Sequence, residues 1–385
     1  MPKPRNVIVE GQNITKERDM KINQLYDNWL KQILQLRPGE RITRVRNIAW
    51  LMVGIFASKS VHLSKVAMKI PGSATLVSAT RRLSRLLNNP AIRVREWYEP
   101  VARHWLEVAA ETTGEIRLIF DATHVGFGHQ WLMVALAFRR RAIPIAWTWV
   151  KSTRGHSSAQ VQLALLAYVH KLLPDGVRVL LTGDCEFESG EVQEQVETVW
   201  HWQYALRQKP NNSVRLPGQE TWQPLGTLVT QPGQKVWLEG CFLTRKHNRP
   251  TNILAYWEPG EKTPWLIANN LSSGFATLKA YSRREWIDEM FGDLKKNGFN
   301  LESSHLHDFL RLSRLTLAVA LLYTWLMSTG SKLIDSPQRS LVDRSDRRDL
   351  SIFQIGLRFI ERCLTNSIDV VVTLFLPAPP KLSGS

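Results

Sequence analysis

Five short stretches in a fixed order constrain the fold more than anything else in this chain. "IRLIFDATHV" (116–125), "WLMVALAFRR" (131–140) and "AIPIAWTWV" (142–150) are apolar, β-branched and aromatic runs separated by short turns. "SSAQVQLALLAYVHKLL" (157–173) is amphipathic, with a serine placed to cap a helix, and "GVRVLLTGD" (176–184) again has the texture of a buried strand. Runs of this kind specify strand, strand, strand, helix, strand. A Glu-rich helix at 189–200 and a strand at 202–208 follow. The pattern predicts an α/β domain built on a mixed sheet flanked by helices.

The acids fall at telling places. Asp121 is expected to close the first strand and Asp184 the fourth. Strand ends facing a loop are where α/β sheets usually carry their site residues. If the two strands are neighbours, both carboxylates emerge together, and like charges a few Å apart are costly unless a cation separates them. Mg²⁺ or Mn²⁺, hard ions that prefer oxygen ligands, suit such a site. A third acid is expected from "YSRREWIDEMFGDLKK" (281–296), read as one helix. At about 100° per residue, Tyr281, Arg284, Asp288 and Lys295 share a polar stripe beside an apolar arc of Ile287, Phe291 and Leu294. Glu289 is rotated roughly 100° away by the same arithmetic. Asp288 is therefore the favoured third ligand and Glu289 the alternative.

The rest of the chain divides by texture. Of 385 residues, 50 are Lys or Arg and 34 Asp or Glu, a net +16, which favours a polyanionic partner, above all nucleic acid. Residues 1–110 carry 19 basic and 8 acidic side chains, so the excess is concentrated there. This region reads as helical. Ile22, Leu25, Trp29, Ile33 and Leu36 form one helix face, and 41–58 a second helix. At 62–88 an amphipathic segment, a Pro71–Gly72 break and a helix bearing Arg81, Arg82 and Arg85 suit a helix-turn-helix DNA-binding module. Residues 211–270, rich in Pro, Gly, Thr and Trp, read as a small antiparallel β insertion. The catalytic core is expected at 115–210 and 271–330, with 331–385 as a C-terminal helical tail.

The three cysteines, Cys185, Cys241 and Cys363, are too widely spaced for a zinc pair or a disulfide framework. No signal-peptide pattern opens the chain. The apolar run at 315–327 reads as a core helix rather than a membrane span. His124 and His129 near Asp121, His156 before a helix, and His305 and His307 are read as structural or DNA-contacting rather than as zinc ligands.

These residues resemble a family. Tyr281, Arg284, Asp288 and Lys295 stand at the spacing of the Y-x2-R-x3-E-x6-K motif of insertion-sequence DDE transposases. "IFDATHV", "LLTGDCEFES" and "GFNLESSHL" are similar to that family's surroundings. The likeness covers roughly 116–330. The family has Glu where this chain has Asp288. The resemblance implies an RNase H-like core interrupted by a β insertion, and two metal ions held by Asp121, Asp184 and the third acid. It implies DNA contacts from Tyr281, Arg284 and Lys295, and makes Trp237, Trp257 and Trp265 in the insertion candidates for stacking on a flipped base. The implied activity is cleavage of double-stranded DNA at terminal inverted repeats and joining of the 3′-OH ends to target DNA. It also implies a homodimer on synapsed ends and a cytoplasmic, nucleoid-associated location. Two other readings stay open: a transposase-derived DNA-binding protein without cutting, and a nuclease that hydrolyses without joining.

Overall fold

The computed structural model describes residues 6–126, 128–151 and 157–376. His156 and the end of the C-terminal tail lie outside them. The chain divides into two units, residues 1–101 with 292–377, and residues 102–291 with 378–385.

The first unit opens with α1 (Asn6–Leu36), α2 (Ile42–Ser58), α3 (Leu63–Ala67), α4 (Leu76–Asn88) and the start of α5 (Val94–Thr113). Leu25, Trp29 and Ile33 are fully buried, as the helical spacing of α1 requires. In the helix-turn-helix segment, α3 is only five residues long and residues 68–75 separate it from α4. That connection is longer than a tight turn. Thr75 caps α4 by accepting a hydrogen bond from Ser78 N at 3.2 Å.

The second unit contains β1 (Glu115–Val125), β2 (His129–Phe138), β3 (Arg141–Lys151), α6 (Ala159–His170), β4 (Arg178–Gly183), α7 (Gly190–Glu194) and β5 (Gln203–Arg207). The order of strands and helices is the expected one. Then come β6 (Ser213–Arg215), β7 (Trp222–Pro224), β8 (Lys235–Leu243), β9 (Arg249–Tyr256), β10 (Trp265–Asn269), α8 (Gly274–Tyr281) and α9 (Trp286–Leu294). All ten strands form one sheet in the order β3-β2-β1-β4-β5-β10-β9-β8-β6-β7. β1, β2 and β3 are an antiparallel meander, while β1, β4 and β5 run parallel.

Two expectations are corrected here, and one region is placed more closely. The strands of the β insertion at 211–270 are antiparallel and join the core sheet. β10 pairs antiparallel with β5, through Asn269↔Ala205 to Ile267↔Arg207, so β6–β10 extend the core sheet. The physical reason is the exposed edge of β5, whose unpaired backbone groups β10 satisfies. Fully buried Asn269 secures the join: its Oδ1 accepts from Leu271 N and from Thr277 Oγ1 on α8, both at 3.1 Å.

Of the corrections, the first is that Asp121 does not close β1, which continues to Val125 because its pairing with β2 runs on to Val125↔His129. What ends beside Asp121 is the parallel ladder with β4, at Phe120↔Gly183.

The second is that 271–330 does not fall wholly with the sheet. From 292 onward the chain belongs to the helical unit, which α10 (Phe309–Leu333) and α11 (Ile352–Thr365) complete. α10 is long and apolar enough to cross a membrane by length and composition. Most of it is instead buried: Leu315, Leu322, Trp325 and Leu326 are fully covered, and Trp325 packs edge-on against Trp29 at 5.3 Å. Gly330 and Gly356 let α10 and α11 touch along their backbones. A Cβ on Gly330 would lie 2.0 Å from Ile352 O, and one on Gly356 would lie 2.1 Å from Leu326 O.

Candidate active site

The parallel register sets two acids side by side. Since Phe120 faces Gly183, Asp121 and Asp184 are the first residues beyond the shared ladder on adjacent strands. Gly183 permits the close approach: a Cβ there would meet Leu206 Cδ2 at 3.0 Å and Phe120 O at 3.3 Å. Beneath, Phe120 stacks on Phe187 at 3.9 Å. Each acid is fixed locally by its neighbour's backbone. Asp121 Oδ1 accepts from Ala122 N and Asp184 Oδ1 from Cys185 N, both at 2.7 Å.

The third acid arrives from a segment that is not one helix. α8 stops at Tyr281, four residues turn, and α9 begins at Trp286. In the break, Arg284 N bonds to Tyr281 O at 2.9 Å and Ile287 N to Arg284 O at 3.2 Å, three-residue spacings tighter than α-helix. The single continuous helix expected over 281–296 is therefore corrected. The overwound break still keeps Arg284 and Asp288 on one side.

Arg284 is the centre of the arrangement. Its Nη2 lies 2.9 Å from Asp121 Oδ2, 3.2 Å from Asp288 Oδ2 and 4.0 Å from Asp184 Oδ2. Three carboxylates distant in sequence thus share one guanidinium nitrogen. Glu289 takes no part: it is more than half exposed and pairs with Arg141 on β3 at 3.1 Å. Tyr281 is 3% exposed, with its ring edge-on to Trp265 at 5.1 Å and its hydroxyl lacking a hydrogen-bond partner among the described residues.

The electrostatics follow from burial. Asp121 is 6% exposed, and its pKa is raised to about 7. Burial is the main cause, with Asp288 and Asp184 adding to it, while Arg284 and the Ala122 N–H oppose it. Asp288 is also raised, by burial first, with Asp184 and Glu289 adding and Arg284 opposing. For Arg284 burial works against the charge, but Asp121, Asp288, Tyr281 and Asp184 outweigh it and hold the guanidinium firmly protonated.

Among the described residues no group of three or more His, Cys, Asp or Glu side chains is already arranged to hold a metal ion, since the three aspartates are gathered around Arg284 instead. The donor set nevertheless fits a hard divalent cation in kind and charge. It consists of carboxylate oxygens, and three of them against one guanidinium leave negative charge in excess.

Other expected residues are placed as follows. Lys295 lies beyond α9 in the helical unit, where it pairs with Glu302 at 3.4 Å. In the same unit Arg81 and Arg85 are exposed on α4, whereas Arg82 is half-buried, its Nε without a partner among the described residues. Trp257 is half-buried, donating its indole N–H to Glu261 O at 2.9 Å. Trp237 donates to Glu239 Oε1 at 3.0 Å. His124 and His129 sit on the β1–β2 hairpin, and His305 meets His62 edge-on at 5.4 Å. Sequence reasoning missed Glu186. Its carboxylate accepts from Ser157 N, Ser157 Oγ and Gln130 Nε2 at 3.0, 2.7 and 2.6 Å, tying the end of β4 to the start of α6 and to β2. Its place two residues after Asp184 was the available signal. It also missed Arg141, whose role needs the register of β3.

No protein-family model matches the chain, and no curated protein matches it. Among solved structures, a piggyBac transposase synaptic complex with hairpin DNA matches over 94% of this chain and 84% of that one, at 14% identity and a TM-score of 0.40. A superposition that loose assigns neither a fold nor an activity.

Proposed function

We propose that this chain is a DNA transposase of the DDE type, with Asp121, Asp184 and Asp288 as its three acids. It would bind terminal inverted repeats, cut phosphodiester bonds there and join the 3′-OH ends to target DNA. The observation that carries the reading is the convergence of these aspartates on Arg284 Nη2 at 2.9, 4.0 and 3.2 Å. The strand order β3-β2-β1-β4-β5, with β1, β4 and β5 parallel, supports an RNase H-like core. The tyrosine, arginine and acid spacing at 281, 284 and 288 supports the family.

On this reading Asp121, Asp184 and Asp288 would hold two Mg²⁺ or Mn²⁺ ions. When bound, these supply activation of water or of a 3′-OH and stabilisation of the leaving oxygen. The chain's own residues do the positioning. The tight β1–β4 ladder sets Asp121 and Asp184 beside each other, and the overwound turn before α9 brings up Asp288. Arg284 offsets part of the acids' charge in free protein. A DNA phosphate entering the site competes for the same guanidinium, which then clamps a phosphate oxygen by a charge-assisted hydrogen bond. Lys295 and Tyr281, whose buried hydroxyl has no partner among the described residues, are the further candidates for contact with DNA, and Trp257 is the candidate for stacking on a base. The acting species on synapsed ends is a homodimer.

The test is incubation of the protein with Mg²⁺ and duplexes carrying the inverted repeats that flank its coding region. Nicks with 3′-OH ends and joined products are expected. Asp121→Asn, Asp184→Asn and Asp288→Asn should each lower the rate at least about 1,000-fold, roughly 4 kcal/mol of barrier. Glu289→Gln should leave it within about threefold. Nicks without joining would make the protein a nuclease, and binding alone would make it a DNA-binding derivative. Abolition by Glu289→Gln but not by Asp288→Asn would reassign the third acid.

A further inference from the structure

The exposed face of α4 has a composition that the cutting reaction does not explain. Ala79, Leu83, Leu86 and Leu87 are buried and fix one side of the helix. The C-terminal end is anchored from α10: Arg314 Nη1 donates to Leu87 O at 2.8 Å and Arg311 Nη2 to Ser84 Oγ at 3.1 Å. The opposite side presents Val77, Arg81, Arg85 and Asn88, all exposed, within about 80° of one another. Ser78 stands beside them. Arg82 is rotated roughly 100° from Arg81, which is why it is half-buried instead.

Charge decides what such a face can meet. Residues 41–95 contain eleven arginines and lysines and no aspartate or glutamate. The cations are not at the leading end of α4, however. There Leu76 and Val77 are 45% and 60% exposed, and the nearby Met68 is 61% exposed. Beside them a concavity of about 440 Å³ is lined by Met68, Ile70, Pro71, Leu76, Ala79 and Arg82. Small apolar and hydroxyl groups at the leading end, followed by arginines, suit the edges of stacked bases flanked by phosphates. Methyl groups meet thymine methyls, hydroxyls meet either donors or acceptors, and arginine meets guanine.

We infer that α4 reads base sequence in the major groove of double-stranded DNA, with Val77, Ser78 and Arg81 on base edges and Arg85 on the phosphate backbone. This rests on the DNA reading proposed above and adds to it which residues set sequence preference. Arg82 is excluded from base reading: it lines the concavity, and its Nε is buried without a hydrogen-bond partner among the described residues.

The experiment is selection of bound duplexes from a randomised library by the full-length chain in EDTA, so that cutting does not intervene. Wild type, Val77→Ala, Arg81→Ala and Arg85→Ala are compared, each first shown to keep the wild-type melting transition. Val77→Ala and Arg81→Ala are each expected to lose preference at one or two adjacent positions and keep the rest of the motif. Arg85→Ala should keep the whole motif, bind every sequence roughly 3–10-fold more weakly, and lower the salt slope by about 0.9. An unchanged motif in both Val77→Ala and Arg81→Ala overturns the assignment. So does a change in self-association without a change in motif, which would make this face a contact with a second copy. A chain that cuts and joins ends but whose motif ignores α4 sinks this inference alone. A motif that shifts with Arg81→Ala in a chain that never cuts sinks the proposed activity alone.

Discussion

At Asp121 a carboxylate that the proposed chemistry needs ionised is 6% exposed and has its pKa raised to about 7. The unfolded chain releases the same proton near pH 4. Between those values the folded protein binds more protons than the unfolded one, so this group's effect on stability worsens as pH rises from about 4 to about 7, and levels off above. Replacing it with an amide removes that penalty. The stability of Asp121→Asn relative to wild type should therefore be about 1–3 kcal/mol more favourable at pH 8 than at pH 5. Urea midpoints at the two pH values read the difference, and a gap independent of pH would show that the carboxyl is not held neutral. The same substitution should abolish cutting at both pH values. Identity and spacing single out Asp121, Asp184 and Asp288 in the sequence. The guanidinium between them is not legible there, because the family resemblance assigns Arg284 to DNA and no spacing shows that it meets all three acids.

Among the elements, the 281–296 segment shows how far periodicity reaches. Its apolar arc placed Ile287, Phe291 and Leu294 correctly as buried positions. The break at 282–285 left no mark in that pattern, because the four residues that turn, Ser282 to Glu285, are polar and precede the apolar arc that begins at Ile287. α10 and α11 show the opposite case, where contact and not periodicity decides. Gly330 has no role visible in sequence, yet a Cβ there would collide with Ile352 O at 2.0 Å. Gly330→Ala should cost about 3 kcal/mol or more in a denaturation measurement, since neither helix backbone can yield without losing its packing. Gly292→Ala in α9, whose Cβ would meet only Asn297 Nδ2 at 3.4 Å, should be neutral or stabilising by about 0.5–1 kcal/mol. Equal losses at both sites would mean that helix contact is not what Gly330 serves.

For the whole molecule, if the proposed DNA-binding function holds, the net charge of +16 governs how the chain meets a duplex. Affinity for a duplex should fall linearly on a log–log plot of binding constant against salt. For four or more phosphate contacts the loss is on the order of 100-fold between 0.05 and 0.2 M. Fluorescence anisotropy with a labelled duplex measures the slope, and a flat line would rule out a phosphate-dominated interface.

The sequence by itself determined the order of strands and helices, the three aspartates and the basic N-terminal third. These are local properties, set by which side chains recur at periods of two or 3.6 and by how charge is distributed along the chain. Only the tertiary structure decided that β10 would complete the edge of β5, that 292–377 would join the N-terminal helices, and that one arginine would gather three acids. Those outcomes depend on which backbone edges remain unpaired and which charges burial forces together, and neither is fixed until distant segments have met.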